Sequence, residues 1–186
     1  MIYIKSSSEI ALMREAGRIA GNALALAKGL VADGISTRRI DSRIREFILS
    51  QGAKPSFLNY GGFPASACIS VNNEVIHGIP DTRILKNGDI VSIDVGAYYK
   101  GFHGDTAATF AVGEISDEAS QLIAVTRESF FKGAEAAKIG NRIGDISAAV
   151  EGHIKQYGYS AVEEYVGHGV GRDLHEDPSI PNYVSR

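Results

Sequence analysis

Apolar residues recur at spacings of three and four early in the chain: Ile10, Met13, Ala16, Ala20, Ala23, Leu24, Ala27 and Leu30. That rhythm is one face of a helix. Ser6, Ser7 and Ser8 before Glu9 are N-cap candidates, and Gly34 closes the run. A second helix is expected over 37–51, with Ile40, Ile44, Phe47 and Ile48 on one face and Gly52 as its stop. The pattern then shortens. Residues 56–60, 67–71 and 74–77 read as strands, punctuated by Gly61-Gly62, Asn72-Asn73 and Gly78. Residues 90–112 read as a hairpin turning at Lys100-Gly101. Two further helices are expected over 118–138 and 143–157, the first capped by Ser116 and Asp117.

The order repeats. A shift of 106 positions lays Gly34 on Gly140, Ile40 on Ile146, Ile44 on Val150, Ile48 on Ile154 and Gly52 on Gly158. Apolar spacing of four is common to all helices, but the glycines fall in register as well. Two related halves are therefore expected, about 8–113 and 114–186, within one domain spanning 1–186. By the same shift, the counterpart of the Asp94 strand would lie near position 200, beyond Arg186.

The hairpin carries the first chemistry. A two-residue loop at Lys100-Gly101 sets Tyr99 opposite Phe102 and position 94 opposite position 107. Asp105 is then the diagonal neighbour of Asp94 on the same face, with Cα atoms roughly 7–8 Å apart. Asp94 follows Ile90-Val91-Ser92-Ile93, strand interior where a buried carboxylate needs a partner. Two divalent metal ions about 3.5–4 Å apart would fit between such carboxylates. Two solvated acids beside a turn are the plainer alternative. An odd-length loop without a bulge would put the aspartates on opposite faces and remove the site.

Five histidines are present. His153 is expected on the polar side of its helix, at the surface. His103 is expected on the face opposite Asp94 and Asp105, with a structural role. His77, in Val75-Ile76-His77-Gly78-Ile79-Pro80, reads as a core histidine at the end of an apolar strand. His168 lies between Gly167 and Gly169, which permit close approach of backbone or ligand. Imidazole suits zinc, iron, cobalt or manganese, and His175 follows within reach of the same cleft. Gly167-x-Gly169-x-Gly171 lacks the spacing of a dinucleotide-binding loop. No serine sits in a nucleophile-elbow setting, and Cys68 reads as a small buried hydrophobe.

Composition narrows the partners. The 186 residues are 44% hydrophobic and 22% charged, with net charge −3 and no basic cluster. Neither nucleic acid nor an anionic membrane surface is expected as main partner. Cys68 is the only cysteine, so no internal disulfide or cysteine zinc cluster forms, and a reducing compartment is expected. No signal-peptide pattern and no apolar run near about 18 residues appears, so the expected location is the cytoplasm.

Several motifs together closely resemble the methionine aminopeptidases of bacterial type I. They are Gly62-Phe63-Pro64-Ala65-Ser66-Ala67-Cys68-Ile69-Ser70-Val71-Asn72, then Asn73-Glu74-Val75-Ile76-His77-Gly78-Ile79-Pro80, then Gly88-Asp89-Ile90-Val91-Ser92-Ile93-Asp94-Val95-Gly96. Gly101-Phe102-His103-Gly104-Asp105-Thr106, Gly167-His168-Gly169-Val170-Gly171 and Leu174-His175-Glu176-Asp177-Pro178 complete the set. The resemblance implies an α+β pita-bread fold, two pseudo-symmetric halves around an antiparallel sheet. It also implies removal of methionine from the N-termini of new polypeptides.

That family holds two divalent ions with two aspartates, a histidine and two glutamates, and Asp94, Asp105 and His168 match the first three. The ions implied are Co, Mn, Fe or Zn. His77 and His175 match histidines that contact substrate about the scissile bond, with Tyr60, Phe63 and Cys68 matching the pocket for the methionine side chain. The family continues past the equivalent of Tyr183 into strands bearing the two glutamates. A site built from these residues alone is therefore expected to hold metal weakly and to leave activity low. A monomer is expected, with association through an exposed sheet edge as the alternative. Two other readings stand beside the main one: a non-catalytic peptide-binding or edge-pairing remnant, and a proline-specific dipeptidase of the same fold.

Overall fold

The computed structural model describes residues 1–185. The chain divides into two compact units, one of residues 4–116 with 170–174, the other of 1–3, 117–169 and 175 onward.

The first unit begins with α1 (Ser7–Leu30), opened by a capping box. Ser6 Oγ accepts from the Glu9 N–H, and the Glu9 carboxylate accepts from the Ser6 N–H at 2.8 Å. Its buried stripe is Ala16, Ile19, Ala20, Ala23, Leu24 and Ala27, mostly small residues that let the helix lie close to a sheet. Ile10, expected on that stripe, is exposed, because it falls in the first turn. α2 (Thr37–Ser50) is capped by Ser36 and buries Ile40, Ile44 and Ile48 completely.

The sheet is antiparallel and centred on β3 (Ile90–Tyr99). β4 (Phe102–Ala111) pairs with it along one side. On the other side lie β2 (Ala67–Val71), opposite 91–95, and β1 (Lys54–Pro55), opposite 97–98. Alternation divides the sheet cleanly. Ala67, Ile69, Val71, Val91, Ile93, Val95 and Ala97 face the helices and form the core with Ile19, Ile40, Ile44 and Ile48. The other face carries Cys68, Ser70, Ser92, Asp94 and Gly96.

Two expected strands are absent. Residues 57–60 leave the sheet through a turn at Asn59, whose φ is 68°, and the strand lies instead at Lys54–Pro55. Residues 74–77 are irregular, since the Glu74 carboxylate folds back to accept from the Val71 N–H at 2.8 Å.

The second unit contains α3 (Asp117–Ala136), α4 (Ile143–Lys155) and a ribbon of β5 (Gly167–Gly169) with β6 (Glu176–Ile180). α3 and α4 pack closely where Gly133 meets Val150. Ser147 Oγ donates to the Pro181 carbonyl at 2.6 Å, tying α4 to the chain after β6. The 106-residue shift carries the end of α1 onto the end of α3 and the start of α2 onto the start of α4. Gly34, Gly52, Gly140 and Gly158 all have positive φ, between 69° and 98°, so the aligned glycines do the same backbone work.

His153 is not the surface residue expected. Its side chain is 12% exposed, lies 3.2 Å from a Glu128 carboxylate oxygen and packs beside the Tyr157 ring. Among the described residues, no helix is long and apolar enough to cross a membrane.

Candidate active site

The hairpin register is the one its two-residue loop dictates. Lys100 and Gly101 both have positive φ, 46° and 95°, as a two-residue hairpin turn requires. Tyr99 pairs with Phe102, Asp94 with Ala107 and Gly96 with Asp105. Asp94 and Asp105 therefore share a face as diagonal neighbours. Burial first, and then the charge of Asp105, push the Asp94 carboxyl up from 3.8 to about 7. A backbone N–H donated by Val95 opposes the shift only in part. Near neutrality the pair holds a proton in place of a second negative charge.

His103 lies on this face, not the opposite one. It pairs with Tyr98, two residues from Asp105 on β4, and side chains two apart on a strand point the same way. Its Nδ1 is 2.9 Å from Ser56 Oγ. Ser56 and Phe57 press against Gly96, where any Cβ would come within 2.7 Å of both side chains. The missing side chain thus seats the segment after β1 against the carboxylate face.

Cys68 pairs with Asp94 across β2 and β3. It is buried, and burial together with the Asp94 and Asp105 charges lifts its thiol to about 12. A thiol so disposed is no nucleophile at neutral pH. It forms an apolar cluster with Phe57 and Leu174, and Phe63 packs on its edge. Asp41, on α2, holds the start of β2. Its Oδ1 accepts from the Ser66 and Ala67 N–H groups at 2.9 Å each, and burial nonetheless raises its carboxyl above the ordinary value. Tyr60 opens the short helical turn beside the cluster and is half exposed.

His77 is exposed, not a core residue. Its φ of 60° places it in the left-handed region. The chain beside it is anchored to the free edge of β2, with Ile69 N–H donating to the Gly78 carbonyl at 2.8 Å and Gly78 N–H donating to Ser70 Oγ at 3.0 Å.

In the second unit, His168 pairs with Ser179 in the ribbon. A Cβ on Gly167 would sit 2.9 Å from the Ile180 carbonyl oxygen, and one on Gly169 2.7 Å from that of Asp177. The flanking glycines thus admit backbone. His168 Nδ1 lies 2.9 Å from the Gly169 carbonyl. A carbonyl only accepts, so Nδ1 carries the proton and, in the neutral ring, Nε2 keeps its lone pair. The His168 and His175 rings are 4.2 Å apart.

The structure thus gathers Asp94, Asp105, Cys68 and Phe63 in one unit, and His168 with His175 in the other. Among the described residues no group of three or more histidine, cysteine, aspartate or glutamate side chains meets the geometry of a metal site. The donors held together are the two carboxylates, and they suit a hard or borderline divalent ion, whose charge relieves the repulsion that a proton relieves here. Sequence reasoning missed Phe57, Leu174 and Asp41, whose roles come from tertiary contact.

Comparison with known proteins bears on this arrangement. The profile of metallopeptidase family M24 matches residues 11–186. A methionine aminopeptidase of Clostridium acetobutylicum is 52% identical over 184 residues, covering 98% of this chain and 74% of that protein. The crystal structure of methionine aminopeptidase from Rickettsia prowazekii superposes with a TM-score of 0.97 at 40% identity, over 100% of this chain and 75% of that one. The prolidase of Pyrococcus furiosus gives 0.86 at 28%, over 98% and 53%. The chain belongs to metallopeptidase family M24. Its fold is the α+β pita-bread fold of these neighbours, and its chemistry is that of a metal-dependent peptidase.

Proposed function

We propose that this chain is a metal-dependent aminopeptidase that removes methionine from the N-termini of polypeptides. The observation that carries the reading is the half-buried Asp94–Asp105 pair on one sheet face, whose crowding raises the Asp94 carboxyl and which a divalent cation would relieve. Asp94, Asp105 and His168 are the proposed ligands, His168 through Nε2, because its Nδ1 faces the Gly169 carbonyl. Two ions per site, drawn from Co, Mn, Fe and Zn, are the proposed complement. When bound, the metal supplies Lewis-acid polarisation of the scissile carbonyl and acidifies a coordinated water.

The chain's own residues do the rest. Phe57, Phe63, Cys68 and Leu174 offer an apolar surface to an unbranched thioether, with Phe rings for the sulfur; Tyr60 borders it. His77 and His175 contact the substrate about the scissile bond and stabilise the charge that develops there. The high thiol pKa keeps Cys68 neutral, so the pocket remains apolar. Both units serve one catalytic domain, 1–186, working as a monomer in the cytoplasm on peptides rather than nucleic acid or membrane. The strong Clostridium and Rickettsia likenesses favour methionine over the substrates of the prolidase neighbour.

The test is hydrolysis of a Met-Gly-Met peptide and a Xaa-Pro dipeptide with added Mn²⁺ or Co²⁺. Two chains are compared: this one, and one extended by the part of the Clostridium acetobutylicum relative that follows the matched stretch. Methionine release that disappears in Asp94→Ala supports the assignment. Cleavage of the Xaa-Pro dipeptide alone overturns it.

A further inference from the structure

We propose that Arg172 and Glu9 form a clasp that positions Leu174, and that these two residues thereby set how well the apolar pocket takes an N-terminal side chain. The reading of that pocket given above is assumed.

The segment Val170–Leu174 lies far along the chain yet packs within the compact unit of residues 4–116. Three contacts fasten it there. Arg172 Nη2 donates to Glu9 Oε1 at 2.7 Å. The Arg172 guanidinium lies 4.9 Å from the Phe102 ring centroid. The His103 N–H donates to the Gly171 carbonyl at 2.7 Å. Within the segment, Gly171 N–H donates to the Asp173 carbonyl at 3.1 Å, which tightens the turn. Leu174 follows at once, 3% exposed, against Phe57 and Cys68.

An exposed ion pair is weak when both side chains must be ordered to make it. Here one is ordered already. Glu9 Oε2 accepts from both the N–H and the Oγ of Ser6 at 2.8 Å each, which leaves Oε1 aimed at Arg172. The capping box that starts α1 therefore presents a fixed carboxylate, and less conformational entropy opposes the pair. The guanidinium adds its contact with the Phe102 ring. Phe102 and His103 sit at the hairpin turn, so the clasp fastens to rigid strand. Arg172 and Glu9 are positioning residues that act through Leu174.

The experiment follows Cys68, the one thiol, beneath Leu174. Arg172→Gln, Glu9→Gln, the double variant and Arg172→Lys are compared with the parent for alkylation by neutral iodoacetamide in the folded, metal-free chain at about pH 9, where the closed thiol does not react and alkylation reports displacement of Leu174. Glutamine at position 9 keeps an acceptor for the capping box. Melting temperature is recorded alongside, and KM and kcat for a methionyl peptide where cleavage is measurable. Each Gln variant should alkylate Cys68 about fivefold faster, the double variant no faster than either single, since both remove one shared interaction. KM should rise about fivefold with kcat within about twofold, as for loss of uniform binding. Arg172→Lys should fall between parent and Arg172→Gln.

Unchanged alkylation in folded Gln variants overturns the proposal. So does alkylation that rises only in step with falling melting temperature, the mark of general destabilisation. Thiol protection is read without catalysis. A chain that cleaves no methionyl peptide yet shows the alkylation pattern keeps the clasp and loses the functional reading, and the converse holds for a cleaving chain without it.

Discussion

Asp105 stands diagonally across the hairpin from Asp94 on the same face, and its charge helps to raise the Asp94 carboxyl. The proton they hold must leave before a divalent ion can bind between them. Affinity for Mn²⁺ should therefore fall as pH drops through about 7, by about tenfold per pH unit for one displaced proton. Calorimetric titrations across that range check this. Affinity independent of pH would mean that the pair is not the binding site.

The same shift governs the metal-free protein. The Asp94 carboxyl is raised from 3.8 to about 7. The stability it contributes is complete below the unfolded value, about 4, and is lost as pH rises through about 7. In chelator, the melting temperature of the parent should decline from about pH 5 to pH 8 through this group. Asp94→Asn, which cannot ionise, should lack that component and melt roughly 5 °C higher than the parent at the upper end.

Gly169 is proposed to be glycine because backbone occupies the place of its side chain, 2.7 Å from the Asp177 carbonyl oxygen. Gly169→Ala should destabilise by about 1–3 kcal/mol. Denaturant unfolding checks the figure. Gly144→Ala is the control, since nothing lies within 4 Å of its added carbon and alanine favours helix by about 1 kcal/mol.

The bond from His168 Nδ1 to the Gly169 carbonyl fixes a tautomer. Nitrogen NMR of the neutral ring should show Nδ1 protonated and Nε2 bare, with Nε2 shifting on addition of Zn²⁺. A neutral ring protonated at Nε2 would contradict the assignment of His168 as a ligand through that atom.

Much of this was legible in sequence, for identifiable reasons. Loop length fixes hairpin register, so the pairing of Asp94 with Ala107 followed from Lys100-Gly101 alone. Glycines that must take positive φ marked both helix pairs. His103 could have been placed correctly by the same logic, because two residues separate it from Asp105 on one strand. The strands expected at 56–60 and 74–77 were lost to local hydrogen bonding and to left-handed residues at Asn59 and His77, which apolar pattern does not register. Phe57, Cys68 and Leu174 meet from distant parts of the chain. No periodicity joins them, and only the folded chain shows the apolar cluster they form.

The most direct test of the metal site is titration with Mn²⁺ near pH 7.5, comparing the parent with Asp94→Asn. The account predicts measurable binding in the parent and a loss of about a hundredfold or more in the variant, which keeps the shape of the side chain but loses its charge. Equal affinity in the two proteins would contradict it.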